Sequence, residues 1–600
     1  MMKHIYVLGI SAYYHNSSAT LVKDGEIVAA AEEERFTRIK GDASFPVNAI
    51  TFCLEKEKLS MADVSKVVYY ENSAEKFGRI ITNSLVTAPE GISQYINSLS
   101  SWISEKLWIN RHIQKELNIK NDRFMYISHH MSHAASAFYP SPFEKAAVLT
   151  IDGVGEWASM SWGVCEGEKI GLMKELRFPN SLGLLYSAFT TYLGFRINSG
   201  EYKMMGLAPY GSPVYADLIK KELVKTGEDG SIVMNQKYFS YTTKMCTINK
   251  NFEKLFGKPR RTPKSEITEF HADVAASIQA VTDEIILTIA KHIRKVTKMN
   301  NLVLAGGVAL NVTSMGKLRE SKIFDNIWIQ PASGDAGGSL GAALYGYYSI
   351  SSDKRICNNE DLMKGTFLGY KIENQSAVDD AELKKLGGVW QSYSDSKLQD
   401  KIADLINDGK TVAIARGEAE FGPRALGNRS VLADARNGDM LQRLNMKVKF
   451  REGFRPFAPA VTEEDADKYF DMQGKSPYMS YVFKVKADRR KDAEKGKTIE
   501  ETASKIRSDL PAVTHVDYSA RVQTVSRDTA PLFYGVLNCF KKKYGCCVLV
   551  NTSFNVRGEP IVNTAADAYR CFMNSGIDYA VIGNRLFDKS RQDGRHNEEN

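Results

Sequence analysis

Near the N-terminus, apolar and polar residues are arranged as strand, turn, strand. The apolar run IYVLGI is followed by the polar stretch Ser11–Ser18 and then by ATLVKDGEIVAAAEEE, where Asp24-Gly25 is a strong hairpin signal between apolar runs. The layout returns in AAVLTIDGVGEWASMSWGVCEGEKIGLMKEL, which predicts an apolar strand, a Gly-bearing polar turn, a second strand, and a tight turn into a third. Such repetition predicts a duplicated domain with a cleft between its halves. From Ile267 to about Lys298, Ala275, Ile278, Val281, Ile285 and Ile289 recur at helical spacing, and NLVLAGGVALN then reads as a buried strand ending in glycines. Strand and helix signals alternate over Asn300–Gly346, which favours α/β over all-α.

Periodicity is lost and charge gained over Ser351–Asp361, which places a seam there. Beyond it come FLGY, an amphipathic helix (Leu398, Ile402, Leu405, Ile406), the strand TVAIARG, and a later strand CCVLVN running into the turn TSFNVRGEP. ADRRKDAEKGKTIEETASKIRSD is highly charged and predicts an exposed insertion or partly mobile loop, and the last dozen residues predict a solvated tail. At 600 residues the chain is too long for one ordinary core. Its 43% hydrophobic and 25% charged content excludes a mostly disordered chain. There is no long uncharged apolar run and no signal-peptide pattern, so the expectation is a cytoplasmic protein with no membrane partner. Eight scattered cysteines without C-x-x-C suggest buried thiols rather than a disulfide framework or zinc ribbon.

The basic excess of 79 − 71 = 8 is weak evidence for nucleic acid, and none is expected as a partner. Its distribution matters more: Arg416–Arg455 holds nine basic residues against five acidic. In KVKFREGFRPFAP, Lys447, Lys449 and Arg451 fall at i, i+2 and i+4. A strand there would project all three from one face, an arrangement that suits an anion such as a polyphosphate. Arg424 and Arg429 in RGEAEFGPRALGNRS, and Arg521 in HVDYSARVQTV, add cations from separate segments.

Three of the ten histidines lie within SHHMSHAASAFY. A helix would put His129 and His133 on one face at metal-chelating spacing. Oxygen ligands are available at Asp152, directly after an apolar strand, and at Asp335 in ASGDAGGSLGAA, which is also a candidate helix N-cap. Gly306, Gly307 and Asn311 in LAGGVALN offer close backbone approach and a side-chain donor for a phosphate or sugar. NSGEYKMMGLAPYG reads as a binding loop, with Gly200, Glu201, Lys203, Gly206 and Gly211 beside exposed Met204 and Met205.

These blocks, together with GISAYYHNSSATLVKDGEIVAAAEEERFTR and SLGLLYSAFTTYLGFRINSGEYKMMGLAPYG, resemble the O-carbamoyltransferase family of the NodU/CmcH type from about residue 4 to 590. The resemblance implies a two-domain protein of α/β and α+β class. Residues 1–352 would form a TsaD-like transfer domain of the duplicated actin-like, sugar-kinase type, and residues 362–600 a YrdC-like domain. The YrdC-like signature is matched by Lys449-Phe450-Arg451 and Ser553-Phe554-Asn555. In the family this domain makes carbamoyl adenylate from carbamoyl phosphate and ATP, with Mg2+, and the intermediate moves internally to a metal site, iron in related enzymes, where an acceptor hydroxyl attacks it. The resemblance assigns His129, His133, Asp152 and Asp335 to the metal. It assigns Gly306, Gly307 and Asn311 to nucleotide, and Lys449, Arg451, Arg521 and Ser553 to adenylate formation. Lys203, Arg424, Arg429 and Asn555 complete the candidate cofactor contacts.

His15 is the candidate base, with Ser17 and Ser18 as candidate acceptor contacts. The family often has His-Asp where this chain has His15-Asn16, and an amide cannot stabilise an imidazolium by charge. The expected partner is a small hydroxyl-bearing acceptor, and a homodimer is the provisional assembly. The competing readings are a nucleotide-binding sensor on the same fold and carbamoyl transfer to a macromolecule.

Overall fold

The computed structural model describes residues 4–91, 96, 102, 106–244, 246–358 and 360–592. The chain divides into two units. The first comprises Met1–Glu33 and Asp42–Leu362, and the second Glu34–Gly41 and Met363–Asn600. The short segment Glu34–Gly41, expected in the N-terminal domain, thus belongs to the second unit.

The first unit contains two five-stranded sheets of one design. Across the first sheet the strands run Glu26–Glu32, Ser18–Lys23, Tyr6–Ser11, Lys66–Tyr69 and Phe124–Tyr126. Across the second they run Lys169–Arg177, Ala158–Glu166, Lys145–Ile151, Asn301–Ala305 and Asn326–Ile329. In each, the first three strands form an antiparallel meander and the last two join in parallel. Tight turns suffice for the meander, and the Asp24-Gly25 turn has both residues at positive φ. Parallel neighbours need crossovers, one of which contains the helix Glu269–Thr297. The duplication expected from the hairpins is therefore present in the full strand order.

Glycines set the approach of the helix Ala336–Ile350. A Cβ on Gly9 would lie 1.9 Å from the Ser339 carbonyl oxygen, and one on Gly341 would lie 1.8 Å from that of Ser132. Only at hydrogen-sized contacts can this nearly uncharged helix sit against both the strand Tyr6–Ser11 and the helix His129–Phe138. The buried Ser18 hydroxyl donates to the Ala336 carbonyl at 2.7 Å and pins the helix start.

The second unit is built on an eight-stranded mixed sheet. Its order is Trp390–Ser392, Arg585–Asp588, Tyr579–Ile582, Val412–Ala415, Arg429–Asp434, Val548–Ser553, Ala458–Thr462 and Gln523–Val525. Val412–Ala415 is an unbroken apolar run, and Arg429–Asp434 beside it is buried along its whole length, as befits strands covered on both faces. The charged insertion is tied down: Arg490 donates to the Val485 carbonyl at 2.7 Å and pairs with Asp471 at 3.1 Å. The expected solvated tail is docked as far as it is described, since Lys589 donates to the Met573 carbonyl at 3.0 Å and Gln592 to that of Val389 at 2.8 Å. Its remaining residues lie outside the described ones. No helix among the described residues is long and apolar enough to cross a membrane, and the cysteines are free, five of them buried.

Candidate functional site

In the first unit the helix His129–Phe138 begins where it does because Glu156 receives the His129 backbone N–H at 2.9 and 3.1 Å. His129 and His133 then stack one turn apart, with their Nε2 atoms 3.1 Å from each other. Asp152 follows the strand Lys145–Ile151. Its Oδ1 accepts from the Gly307 N–H at 3.0 Å, which turns Oδ2 to within 3.1 Å of His129 Nε2 and 3.8 Å of His133 Nε2. Asp335 occupies the N-cap position of Ala336–Ile350 but makes no side-chain cap bond. Its Oδ1 instead lies 3.8 Å from His129 Nε2 and 3.7 Å from His133 Nε2.

Burial alone would lower the His133 pKa, but the two carboxylates outweigh it and hold the imidazole raised to about 9. Burial likewise opposes ionisation of Asp335, yet the charges of His15 and His129 hold it at about 2. Two imidazole nitrogens and two carboxylates, all within 4.8 Å of one another, form a donor set. The close separations match neighbouring positions about a divalent ion, where bonds of about 2.1 Å put adjacent ligand atoms roughly 3 to 4 Å apart. Two buried Nε2 atoms facing each other are also an unusual choice unless something sits between them. The residues therefore fit a metal. His130, between them, does not join: it is held by Thr150 at 2.8 Å and Ser161 at 3.1 Å, and burial pushes its pKa down to about 3.

His15 lies beside the set, with Nε2 3.6 Å from Asp335 Oδ2 and Nδ1 3.0 Å from Asn16 Oδ1. Its pKa is raised, first by the Asp335 charge. The charge missing at position 16 is thus supplied from across the fold. Ser17 and Ser18 are both fully buried, and Ser18 is engaged with Ala336 and Ser339.

In the second unit Lys449 is 5% exposed, with Nζ donating to Ser553 Oγ at 3.1 Å, Asn555 Oδ1 at 2.8 Å and the Asn555 carbonyl at 3.0 Å, and also to the Ser553 carbonyl. Burial pulls its pKa down, and the nearby Arg451 adds to this. Arg451 Nε donates to Asn445 at 2.7 Å, and the guanidinium lies 4.5 Å from the Phe457 ring. After burial, the charges of Arg455 and Arg521 lower the Arg451 pKa. Lys449, Arg451, Ser553, Asn555 and Arg521 therefore form one polar neighbourhood drawn from three segments.

Family models cover the chain in two parts. Residues 6–344 match the family model described as carbamoyltransferase N-terminus, and residues 403–589 match carbamoyltransferase C-terminus. The chain belongs to the carbamoyltransferase family. A Synechocystis protein of uncharacterised function is 46% identical over 99% of this chain and 98% of its own. Nodulation protein NolNO of Sinorhizobium fredii is 36% identical over 96% of this chain and 80% of its own. Among solved structures, full-length HypF in its phosphate- and nucleotide-bound form is 12% identical over 58% of this chain and 56% of that one, with a TM-score of 0.32.

In this carbamoyltransferase several expected contacts take other roles. The row Lys447, Lys449, Arg451 is not a strand: Leu444–Val448 is a single wide helical turn, burying Leu444 and Val448 at i, i+4 and exposing Lys447. Phe450 then turns the chain at φ +46° between Lys449 and Arg451, which remain neighbours. Arg429 is fully buried and spends its guanidinium on the carbonyls of Tyr370, Arg416, Gly417, Asn428 and Asn563, so it braces loops instead of facing a phosphate. Arg424 sits half-buried in the preceding loop.

Lys203 lies on the helix Glu201–Leu207, not on a loop, with Nζ 5.7 Å from the Phe195 ring centre, and Met204 is buried. Of the glycines that suggested a loop, Gly200 is the helix N-cap, Gly206 lies within the helix and Gly211 ends the short turn that follows. Asn311 caps the helix Val312–Glu320 through Ser314 N–H at 3.1 Å and exchanges hydrogen bonds with Gln279 at 3.2 Å, so its side chain is committed internally. Gly306 and Gly307 are required for close approach: φ is +93° at Gly306, and a Cβ on Gly307 would lie 2.9 Å from Asp152 Oδ1.

Sequence reasoning missed Glu71 and Glu156 behind the donor set, and the basic pair in ERFTR. Arg38 donates to the carbonyls of Pro560 at 2.9 Å and Ile561 at 2.7 Å, just beyond the Ser553–Asn555 turn, and Arg35 donates to that of Gly422 at 2.8 Å. These two arginines directly follow the acidic run Glu32–Glu34 and become readable only once their distant partners are known.

Proposed function

We propose that this carbamoyltransferase works in two halves: the second unit makes carbamoyl adenylate, and the first transfers its carbamoyl group to a hydroxyl of a small acceptor. The observation behind the proposal is the opposite chemistry of the two sites, a converging His/Asp donor set in one unit and a buried cation cluster in the other. At the cation cluster, water cleaves carbamoyl phosphate to carbamate and phosphate, releasing a proton, and a carbamate oxygen then attacks the α-phosphorus of ATP and expels pyrophosphate. Lys449 and Arg451 are placed to hold the anionic groups, and Ser553 and Asn555 orient the lysine. Magnesium accompanies ATP.

At the donor set, His129, His133, Asp152 and Asp335 would hold a divalent ion, with iron the favoured identity, and the ion would polarise the carbamoyl carbonyl. His15 takes the proton of the acceptor hydroxyl as its oxygen bonds to the carbamoyl carbon, the mixed anhydride breaks, and AMP leaves. Asp335 stabilises the imidazolium that results. Gly306 and Gly307 present backbone at the end of the strand Asn301–Ala305, a suitable floor for nucleotide. A cytoplasmic setting, where ATP is available, belongs to the same reading.

The test is carbamoyl-phosphate-dependent exchange of labelled pyrophosphate into ATP. It is run alongside mass spectrometry of reactions with hydroxylated metabolites for a gain of about 43 Da, the mass of one carbamoyl unit replacing hydrogen. Exchange with a carbamoylated product is expected. Nucleotide binding without exchange would replace this reading with that of a sensor.

A further inference from the structure

The helix Ser73–Val86 buries the wrong residues for one packed on an apolar core. Its buried positions are Ser73, Lys76, Arg79 and Ser84, whereas Leu85 and Val86 are 72% and 79% exposed. The buried stripe is polar and follows helical spacing. Lys76 is answered, with Nζ 2.7 Å from Glu71 Oε2 and 3.1 Å from the centre of the Tyr14 ring.

Arg79 is not answered. It is only 9% exposed, and among the described residues its guanidinium makes no hydrogen bond or ion pair; its contact is the Phe178 ring, 5.1 Å away. Glu71 and Glu156 are within electrostatic reach, but neither pairs with it: Glu71 Oε2 is taken by Lys76 while its Oε1 has no hydrogen-bond partner among the described residues, and Glu156 accepts from the backbone N–H groups of Asn72 and His129. Ser73 Oγ is also buried without a hydrogen-bond partner among the described residues. A guanidinium has five donors in a fixed fork, and burying them unanswered is costly unless a ligand completes them. The place is next to the chemistry: Glu71 Oε2 is 3.9 Å from His129 Nδ1, and Tyr14 precedes His15.

We propose that Arg79, flanked by Lys76 and Tyr14, binds an anionic group on the acceptor, a carboxylate or a phosphate monoester, while the acceptor hydroxyl is held at His15 and the donor set. This rests on the reading of the first unit as the transfer site, and it narrows the substrate to hydroxyl compounds that also carry a negative charge.

Calorimetric titration of the full chain with glucose 6-phosphate, gluconate and glucose tests it in the native protein and in Arg79→Gln and Arg451→Ala. At least one anion should bind the native protein and lose about 30-fold in affinity in Arg79→Gln, the weight of a charge-assisted pair. That Arg79-dependent binding should survive in Arg451→Ala, and glucose should not distinguish the proteins. Which anion responds separates phosphate from carboxylate. Neither anion binding, equal affinity in Arg79→Gln, or loss in Arg451→Ala would overturn the assignment. If Arg79→Gln does not fold, Arg79→Lys, which keeps the charge but not the fork, should show a partial loss, and no loss would count against it. Pyrophosphate exchange in the native preparation separates the two readings: exchange without Arg79-dependent binding removes the subsite alone, and Arg79-dependent binding without exchange removes the two-step reaction alone.

Discussion

The two candidate sites solve the burial of charge in opposite ways. At the donor set, carboxylates and imidazoles answer one another: Asp335 is held at about 2 and His133 is raised to about 9, in each case against burial. At the cation cluster the balance is less complete, with Glu452 the carboxylate acting on Arg451 and lying 3.9 Å from Arg455. Lys449 leans on neutral oxygens, and the pKa values of both Lys449 and Arg451 are lowered by burial and by neighbouring cations. A site that balances its own charge can persist in the resting protein and exchange protons for a metal ion. A cluster in which cations outnumber the carboxylate beside them gains further compensation when an anion enters.

The largest effect expected from this contrast is a crossed loss of function. Arg451→Ala should reduce pyrophosphate exchange by about 1000-fold while leaving use of pre-formed carbamoyl adenylate intact, and His133→Ala should do the reverse. Loss of both activities in either variant would mean that the sites are not separate. Next in size is Gly341→Ala, whose Cβ would meet the Ser132 carbonyl oxygen at 1.8 Å. Forcing the two helices apart should cost about 3 kcal/mol and abolish metal retention measured by elemental analysis, with exchange preserved.

A smaller effect sits in the second unit, at Asp465. It is 1% exposed and accepts from Thr462 Oγ at 2.9 Å, Lys468 Nζ at 2.7 Å and Lys541 Nζ at 2.6 Å. Burial works against its charge, but these donors win and its pKa is lowered. A depressed carboxylate pKa stabilises the fold above the unfolded value of about 3.9, and the benefit fades as pH falls through the folded value. Urea unfolding followed from pH 7 to pH 3 should therefore show an acid-dependent loss of which Asp465→Asn, already destabilised at pH 7, removes about 1 kcal/mol. Smallest is Arg38→Ala, which should lower exchange about tenfold without altering transfer from pre-formed adenylate, because it frees the far end of the turn bearing Ser553 and Asn555. An unchanged exchange rate would assign Arg38 to packing alone.

Much of the first unit was legible because its signals are local. Asp24-Gly25 marks one hairpin, the i, i+4 histidines mark one helix face, and a strand ending at Gly306-Gly307 marks a turn. The errors arose where local pattern is ambiguous or partners are remote. Alternating Lys447, Val448, Lys449 fits a strand as well as a helical turn over five residues, and the buried Leu444 and Val448 settle it only in three dimensions. Arg429 looked like a phosphate ligand because basic residues crowd its segment, yet its acceptors come from residues as far apart as Tyr370 and Asn563. Asp335 had been read as either cap or ligand, and it takes the cap position while its carboxylate serves the donor set.

The excursion of Glu34–Gly41 restricts how the enzyme can be dissected. A fragment starting at Met363 would lack Arg35 and Arg38, and one ending at Leu362 would carry those arginines without the carbonyls of Gly422, Pro560 and Ile561. Splitting the polypeptide at its obvious linker therefore leaves each piece with a wound, and an intact stand-alone half would have to be assembled by splicing that octapeptide back onto the piece it serves.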